Sequence, residues 1–276
     1  MEARLQLRVQ RYGWDRAAPS YELAWKQALA PATAAVLDAA KLRPGERVLD
    51  VACGSGLLTR AAWDAVASEG GEVVGTDISE LMLTEAAERS PECRFVRADA
   101  QNLAEVVPAG HFDVVLCGLG LMYMPDPEAA LVTMARCLRP GGRMAVSVWG
   151  ERRACKWAEI FPIVDSQVRS EVCPMFFRVG TGDTLAVALR DAGLVDVELT
   201  HPPTTLRYID ADAACDAAFL SGPVALAYSR FDEATRLSVR AEYLASVEPW
   251  RHGERFEIPG MFVIGSARKP EACDDA

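Results

Sequence analysis

Arg47-Val48-Leu49-Asp50-Val51-Ala52-Cys53-Gly54-Ser55-Gly56-Leu57-Leu58 is the stretch from which the fold is read. Arg47 to Ala52 is a short apolar run that closes on an acid and a loop of small residues. That is the pattern of a buried strand running into a turn. Pro44-Gly45 before it is a turn signal, and Leu57 to Ala67 after it reads as a helix. The alternation repeats outward. Strands are expected at Glu72 to Asp77, Arg94 to Ala98, Phe112 to Cys117 and Arg143 to Trp149. Helices are expected at Ser79 to Arg89 and Asp126 to Leu138, with a turn at Pro140-Gly141-Gly142. Strands and helices at this spacing imply right-handed crossovers and an α/β doubly wound, mostly parallel sheet.

The flanks are less regular. Residues 20–41 read as a helix broken or kinked at Pro31. Lys156 to Ser170 reads as a helix across the mouth of the sheet, and Thr184 to Ala192 as a helix before a strand at Val195 to Thr200. Residues 210–247 read as two helices punctuated by Ser221-Gly222-Pro223, and Ile258 to Ala267 as a last strand. No linker separates these pieces, so one domain over residues 1–276 is expected, with a helical cap inserted at about 205–250.

The chain has 276 residues, 50% of them hydrophobic and 25% charged, enough for a proper core. A net charge of −10 argues against a broad grip on nucleic acid or anionic lipid. The eight cysteines form no CxxC pair, so no metal centre is expected, and a disulfide scaffold is improbable at this length. Arsenic capture would need several thiols, such as Cys53, Cys155 and Cys173, to converge. The N-terminus has no apolar signal region and no run is long enough to span a membrane, which points to the cytosol.

The chemistry concentrates at three expected strand ends. Gly54 and Gly56 permit a sharp turn and close approach of backbone to a ligand. Asp77 is placed to accept from the two hydroxyls of a ribose. Asp99 is placed to accept from an adenine amino group. Glycine turns and helix-capping acids explain each feature singly, but less readily the three together. The loop lacks GxGxxG and no basic residue lies near it in sequence to meet phosphate. Asp50, Asp77 and Asp99 make the pocket acidic, which suits a cationic, phosphate-free nucleoside.

VLDVACGSG, VVGTDIS, RADAQNL, FDVVLCGLGLMYMPDPEAAL and LRPGGRMAVSVW together resemble the successive motifs of class I S-adenosylmethionine-dependent methyltransferases. The likeness is to the small-molecule group that includes the ubiquinone/menaquinone C-methyltransferases, and it covers about residues 12–150. It implies a Rossmann-like methyltransferase fold of seven strands with the last antiparallel, a cofactor-binding core over 44–150, and S-adenosylmethionine as cofactor. It implies that Asp50 orients the loop and reaches the methionine amino group. It implies that Ala52, Cys53, Gly54 and Gly56 line the methionine and ribose, and that Ile78 and Met82 lie against the adenine. Asp99 and Ala100 would meet the adenine edge, and Cys117, Gly118 and Leu119 would lie under the sulfonium. The departures are Ala52, where many members carry glycine, and Met122, where quinone methyltransferases often carry histidine. YGWDRAAPSY also resembles the family's segment that folds over the cofactor. Residues 1–40 are therefore expected to form a helical lid, with Tyr12, Trp14 and Tyr21 closing the site or packing a helix. A sulfonium over an aromatic face gains roughly 0.5–2 kcal/mol.

A base is needed only if the acceptor must lose a proton. His111 reads as a solvated turn residue. His201 and His252 are candidates for a base, and no catalytic residue is assigned. Tyr123, Trp149, Trp157, Phe176 and Phe177 are candidates for the acceptor wall, with Met175, Phe219 and Tyr228 beside them. The expected partner is a small, hydrophobic or aromatic methyl acceptor, methylated on oxygen, carbon or nitrogen. No nucleic acid partner is expected, because Cys117-Gly118-Leu119-Gly120 replaces an Asn-Pro-Pro-aromatic motif. The alternatives are a nicotinamide-dependent reductase and a non-catalytic cofactor-binding protein of the same fold. The oligomeric state is left open, a homodimer included.

Overall fold

The computed structural model describes residues 3–168 and 176–272. The elements in chain order are α1 (Ala3–Ala40), β1 (Arg47–Val51), α2 (Leu57–Val66), β2 (Glu72–Asp77), α3 (Glu80–Arg89), β3 (Arg94–Arg97), β4 (Phe112–Gly118), α4 (Pro127–Cys137) and β5 (Leu138–Trp149). They continue with α5 (Ile160–Asp165), α6 (Thr184–Asp191), β6 (Val195–Thr200), β7 (Pro203–Tyr208), α7 (Ala211–Leu220), α8 (Ala225–Tyr228), α9 (Glu233–Val247), β8 (Arg251–His252) and β9 (Arg255–Arg268).

The main sheet runs β3-β2-β1-β4-β5-β9-β6. Its first five strands pair in parallel, and β9 is antiparallel to both β5 and β6. Val48, Leu49, Asp50 and Val51 of β1 are all buried, as a central strand covered on both faces requires. The parallel strands end together: Val51 stands level with Thr76, Asp77 with Arg97, and Gly118 with Ser147. Ligands of open α/β sheets bind outside this edge.

Three expectations need correction. Pro31 does not break its helix: α1 runs unbroken through both Pro19 and Pro31. Both prolines lie on the exposed side, where water can reach the carbonyl each leaves unpaired. The other side buries Trp25, Ala28, Leu29, Ala32, Val36 and Ala40 at three- and four-residue spacing, against β4, β5, β9 and the cap helices. Tertiary packing therefore overrides the local helix-breaking rule. The expected cap is also not wholly helical. It opens with β7, which pairs with the half of β9 that extends beyond the main sheet, and it holds three helices rather than two. The expected helix at Lys156 to Ser170 is regular only over Ile160–Asp165, and its last two residues lie outside the described residues, as do Cys173 and Met175.

Candidate active site

The turn after β1 places Ala52, Gly54 and Gly56 in the left-handed region, with φ of 55°, 55° and 81°. Their roles differ. A Cβ on Gly54 would meet open space in the cleft, so backbone is presented bare to a ligand. A Cβ on Gly56 would stand 3.0 Å from Ala86, so Gly56 lets α2 and α3 pack and does not line the cleft. Ala52 does line it, and its Cβ fills the space above Gly120.

Asp77, at the tip of β2, binds the loop directly. Its Oδ2 accepts from the Gly54 N–H at 2.9 Å and its Oδ1 from the Ser79 N–H at 2.8 Å. Burial raises its pKa against those two bonds. Asp99 stands two residues past the end of β3, not at it. It caps the turn Ala100–Glu105 by accepting from the Gln101 N–H at 3.0 Å, and it still lines the cleft with Ala98 and Ala100. Ile78 and Met82 add an apolar flank, with Met82 held by the Ser79 hydroxyl that caps α3. Gly118 and Leu119 line the cleft at the tip of β4. Leu119 is held at φ 56° by hydrogen bonds from its N–H to the Ser147 carbonyl and hydroxyl.

Three expected contacts lie outside this surface. Asp50 is fully buried under the loop. Its Oδ2 accepts from the Thr59 hydroxyl at 2.6 Å, and its Oδ1 has no protein partner. Cys53, with its sulfur near Gly75, lies outside the main cleft but lines a smaller pocket that shares Tyr21, Ala52, Gly54, Gly118 and Leu119 with it, and Cys117 is fully buried with its sulfur near Gly120. Strand alternation sends the Asp50 and Cys117 side chains away from the cleft. Burial raises Asp50 to about 7, opposed by the Thr59 hydrogen bond and reinforced by Asp77. Its folded pKa therefore exceeds its unfolded value of about 4. Between those values the folded chain holds a proton that the unfolded chain has released, so this contribution to stability is lost as pH rises toward 7. In urea unfolding at about pH 5 and about pH 8, Asp50→Asn should show a smaller loss of stability with rising pH than the native chain. An unchanged pH slope would refute the assignment.

The other end of the cleft is aromatic. Trp14 packs edge-on to Tyr123 at 4.8 Å and to Tyr21 at 5.9 Å, and Trp149 packs on Trp157 at 4.9 Å. All five line the cleft. Phe176 and Phe177 do not. They are buried behind the wall, with Phe176 at 5.3 Å from Tyr123 and 5.8 Å from Trp157. Tyr12 points to solvent under Arg11 and takes no part in closure. Phe219 and Tyr228 pack on each other inside the cap. His201 and His252 are exposed and away from the cleft, and His111 sits against Arg47 at 3.2 Å, so none of the three is placed as a base.

The helix α1 closes one side. The Ser79 hydroxyl donates to Asp15 at 2.6 Å, and Arg89 bridges Glu22 to the Ser55 carbonyl of the loop. The Trp25 indole donates to the Ser221 carbonyl at 2.9 Å, tying α1 to the cap. Leu7, Gln10, Trp25 and Leu29 also line the cleft on the same helical face as Trp14 and Tyr21. Their spacing holds that signal, but only for a helix continuing past Pro19.

The cleft encloses about 1250 Å³, including space open to solvent. Among the described residues its only carboxylates are Asp77 and Asp99, and no Lys, Arg or His lines it. That lining fits a cationic, phosphate-free adenosine derivative and offers nothing to a pyrophosphate. The described residues hold no group of three or more His, Cys, Asp or Glu arranged for a metal ion.

A methyltransferase-domain family pattern matches residues 48–142. Nocamycin O-methyltransferase of Saccharothrix syringae is 33% identical over 218 residues, covering 72% of this chain and 77% of that protein. The chain belongs to the S-adenosylmethionine-dependent methyltransferases. The methyltransferase fold recurs in a solved structure of Haemonchus contortus phosphoethanolamine N-methyltransferase 2 in complex with S-adenosyl-L-methionine. That structure has a TM-score of 0.59 and 17% identity over 93% of this chain and 57% of that one. A ubiquinone/menaquinone biosynthesis C-methyltransferase of Ectopseudomonas mendocina is 42% identical, but over 111 residues, 38% of this chain and 42% of that protein. This methyltransferase is thus an enzyme that uses S-adenosylmethionine, and the reductase and the non-catalytic binding protein are not favoured. No described helix is long and apolar enough to cross a membrane.

Proposed function

We propose that this methyltransferase moves a methyl group from S-adenosylmethionine to an oxygen of a small, largely apolar acceptor. One observation carries the reading: a single cleft joins a carboxylate end without cations to an aromatic end. When bound, the cofactor supplies an activated methyl group on a positively charged sulfur. Asp77 and Asp99 would hold the adenosine, Gly54 and Ala52 would pass beside the methionine, and Gly118 and Leu119 would border the sulfur. Trp14, Tyr21 and Tyr123 then present aromatic faces that favour positive charge. The chain's main work is to hold the acceptor in line at about 3–3.5 Å and to exclude water. The closed contacts of α1 with α3, the loop and the cap support that role for residues 3–40.

Two observations favour oxygen. The O-methyltransferase match extends over 72% of the chain, whereas the quinone C-methyltransferase matches extend over 38%, 57% and 60% of it. No histidine, lysine or glutamate among the described residues lines the cleft, which suits an acidic hydroxyl or carboxyl that ionises unaided. The six described cysteines are free thiols, which supports a cytosolic setting. The test is labelled-methyl transfer across matched phenols, enols, carboxylic acids, amines and carbon acids. Transfer to the oxygen acceptors is expected. Transfer confined to amines or carbon would overturn the assignment.

A further inference from the structure

The cap places two phenol groups in the cleft for which the cofactor has no evident use. Tyr208 ends β7 and Tyr243 lies in α9; they are 8% and 2% exposed, and both line the cleft. Neither hydroxyl has a hydrogen-bond partner among the described residues. Neither is among the sealed polar atoms left without a partner, so each reaches the open space of the cleft. Elsewhere in the cleft lining, Trp25, Trp157 and Ile160 offer no acceptor oxygen from a side chain.

Their position separates them from the cofactor end. On β9, Trp149 stands opposite Phe262, at the end of β5, whereas Tyr208 stands opposite Phe256. Six residues of strand span roughly 20 Å. β9 is also four places from β2, which carries Asp77, roughly 19 Å across the sheet. Burial pushes both phenols up, and the Tyr208 phenol pushes Tyr243 further. Both therefore stay protonated near neutral pH and act as donors. A buried hydroxyl facing an apolar cavity is costly unless something accepts from it. Two such donors lining one cleft are suited to one oxygen with two lone pairs.

We propose that Tyr208 and Tyr243 form a two-donor clamp for a carbonyl oxygen on an otherwise apolar acceptor, at the end remote from the atom that receives the methyl group. The clamp rests on the reading of this cleft as the acceptor site. It divides recognition in two: aromatic walls take the hydrocarbon body, and the cap reads one oxygen.

Two probes of the same skeleton test it, benzylacetone with its ketone and butylbenzene without. Each is titrated by calorimetry into the protein loaded with S-adenosylhomocysteine. The native chain should bind the ketone roughly tenfold more tightly than the hydrocarbon, the worth of one to two hydrogen bonds. Tyr208→Phe with Tyr243→Phe should abolish that preference while leaving butylbenzene and S-adenosylhomocysteine binding unchanged. Thermal unfolding of the double variant verifies its fold, and either single variant replaces it if it does not fold. Equal binding of the two probes, failure of the ketone to bind at its solubility limit, or a preference that survives both substitutions would overturn the clamp. Methyl transfer to an oxygen acceptor alongside any of those results would leave the function standing and remove only the clamp. Intact probe preference without methyl transfer would do the reverse.

Discussion

Asp77→Ala should weaken S-adenosylhomocysteine binding about 10- to 100-fold, equivalent to about 1.5–3 kcal/mol for a charge-assisted contact. The structure adds a second consequence. The same carboxylate accepts from the Gly54 and Ser79 N–H groups, so its removal also frees the glycine loop and the first turn of α3. Ser79 is fully buried, and leaving its N–H without an acceptor costs about 1–3 kcal/mol of stability. Calorimetry and urea unfolding separate the two effects. Asp77→Asn keeps one acceptor oxygen and should lose less stability than Asp77→Ala while still losing affinity. Native affinity in a folded Asp77→Ala chain would make Asp77 a loop anchor and nothing more.

Gly120→Ala should destabilise the chain by about 1–3 kcal/mol and disturb the cofactor loop with it. A Cβ at Gly120 would stand 2.4 Å from the Ala52 Cβ, closer than any repacking of two methyl groups allows. Ala52 itself sits at φ 55°, where a side chain is strained and glycine is not. The two positions are therefore coupled. Ala52→Gly alone should be close to neutral. In the Gly120→Ala background it should restore more than about 1 kcal/mol, because the next neighbours of the added Cβ are the Cys117 sulfur at 3.3 Å and the Ala52 Cα at 3.7 Å. Additive losses in chemical unfolding would refute the coupling. This contact also gives the departure at Ala52 a physical meaning: the methyl group at 52 is accommodated because residue 120 has none.

Much of the cofactor end is legible in the amino-acid order. The elements from β1 to β5 follow from local period and turn chemistry, since parallel strands are continuously apolar and their turns need Gly, Pro or a capping acid. Asp77, Ile78, Met82, Gly118 and Leu119 reach the cleft because the ligand edge of such a sheet is set by strand direction. Asp50 and Cys117 lie near the ends of β1 and β4 but turn away from the cleft, Gly56 packs against Ala86, and Cys53 lines a smaller pocket beside the cleft. One residue of offset along a strand takes a side chain from the cleft to the core. Asp99 is both a turn cap and a cleft residue, so its structural and functional readings are compatible.

The acceptor end is far less legible. Trp149 and Trp157 line the cleft while Phe176 and Phe177 pack behind it, yet all four are large aromatics beside the same edge. Aromatic identity encodes burial, not which face of the buried side chain meets the cavity. Leu7 and Gln10 depend on α1 passing Pro19, which local propensity opposes.

By itself, then, the amino-acid order determined the twisted parallel sheet, the bare-backbone turn and the acidic edge, because each depends on neighbours a few residues apart. Only the tertiary structure decided which aromatics face the cavity, how α1 locks over it, and that Tyr208 and Tyr243 line the same cleft. Those groups come from segments distant in sequence, and no local pattern encodes which of them share a wall until the chain has packed.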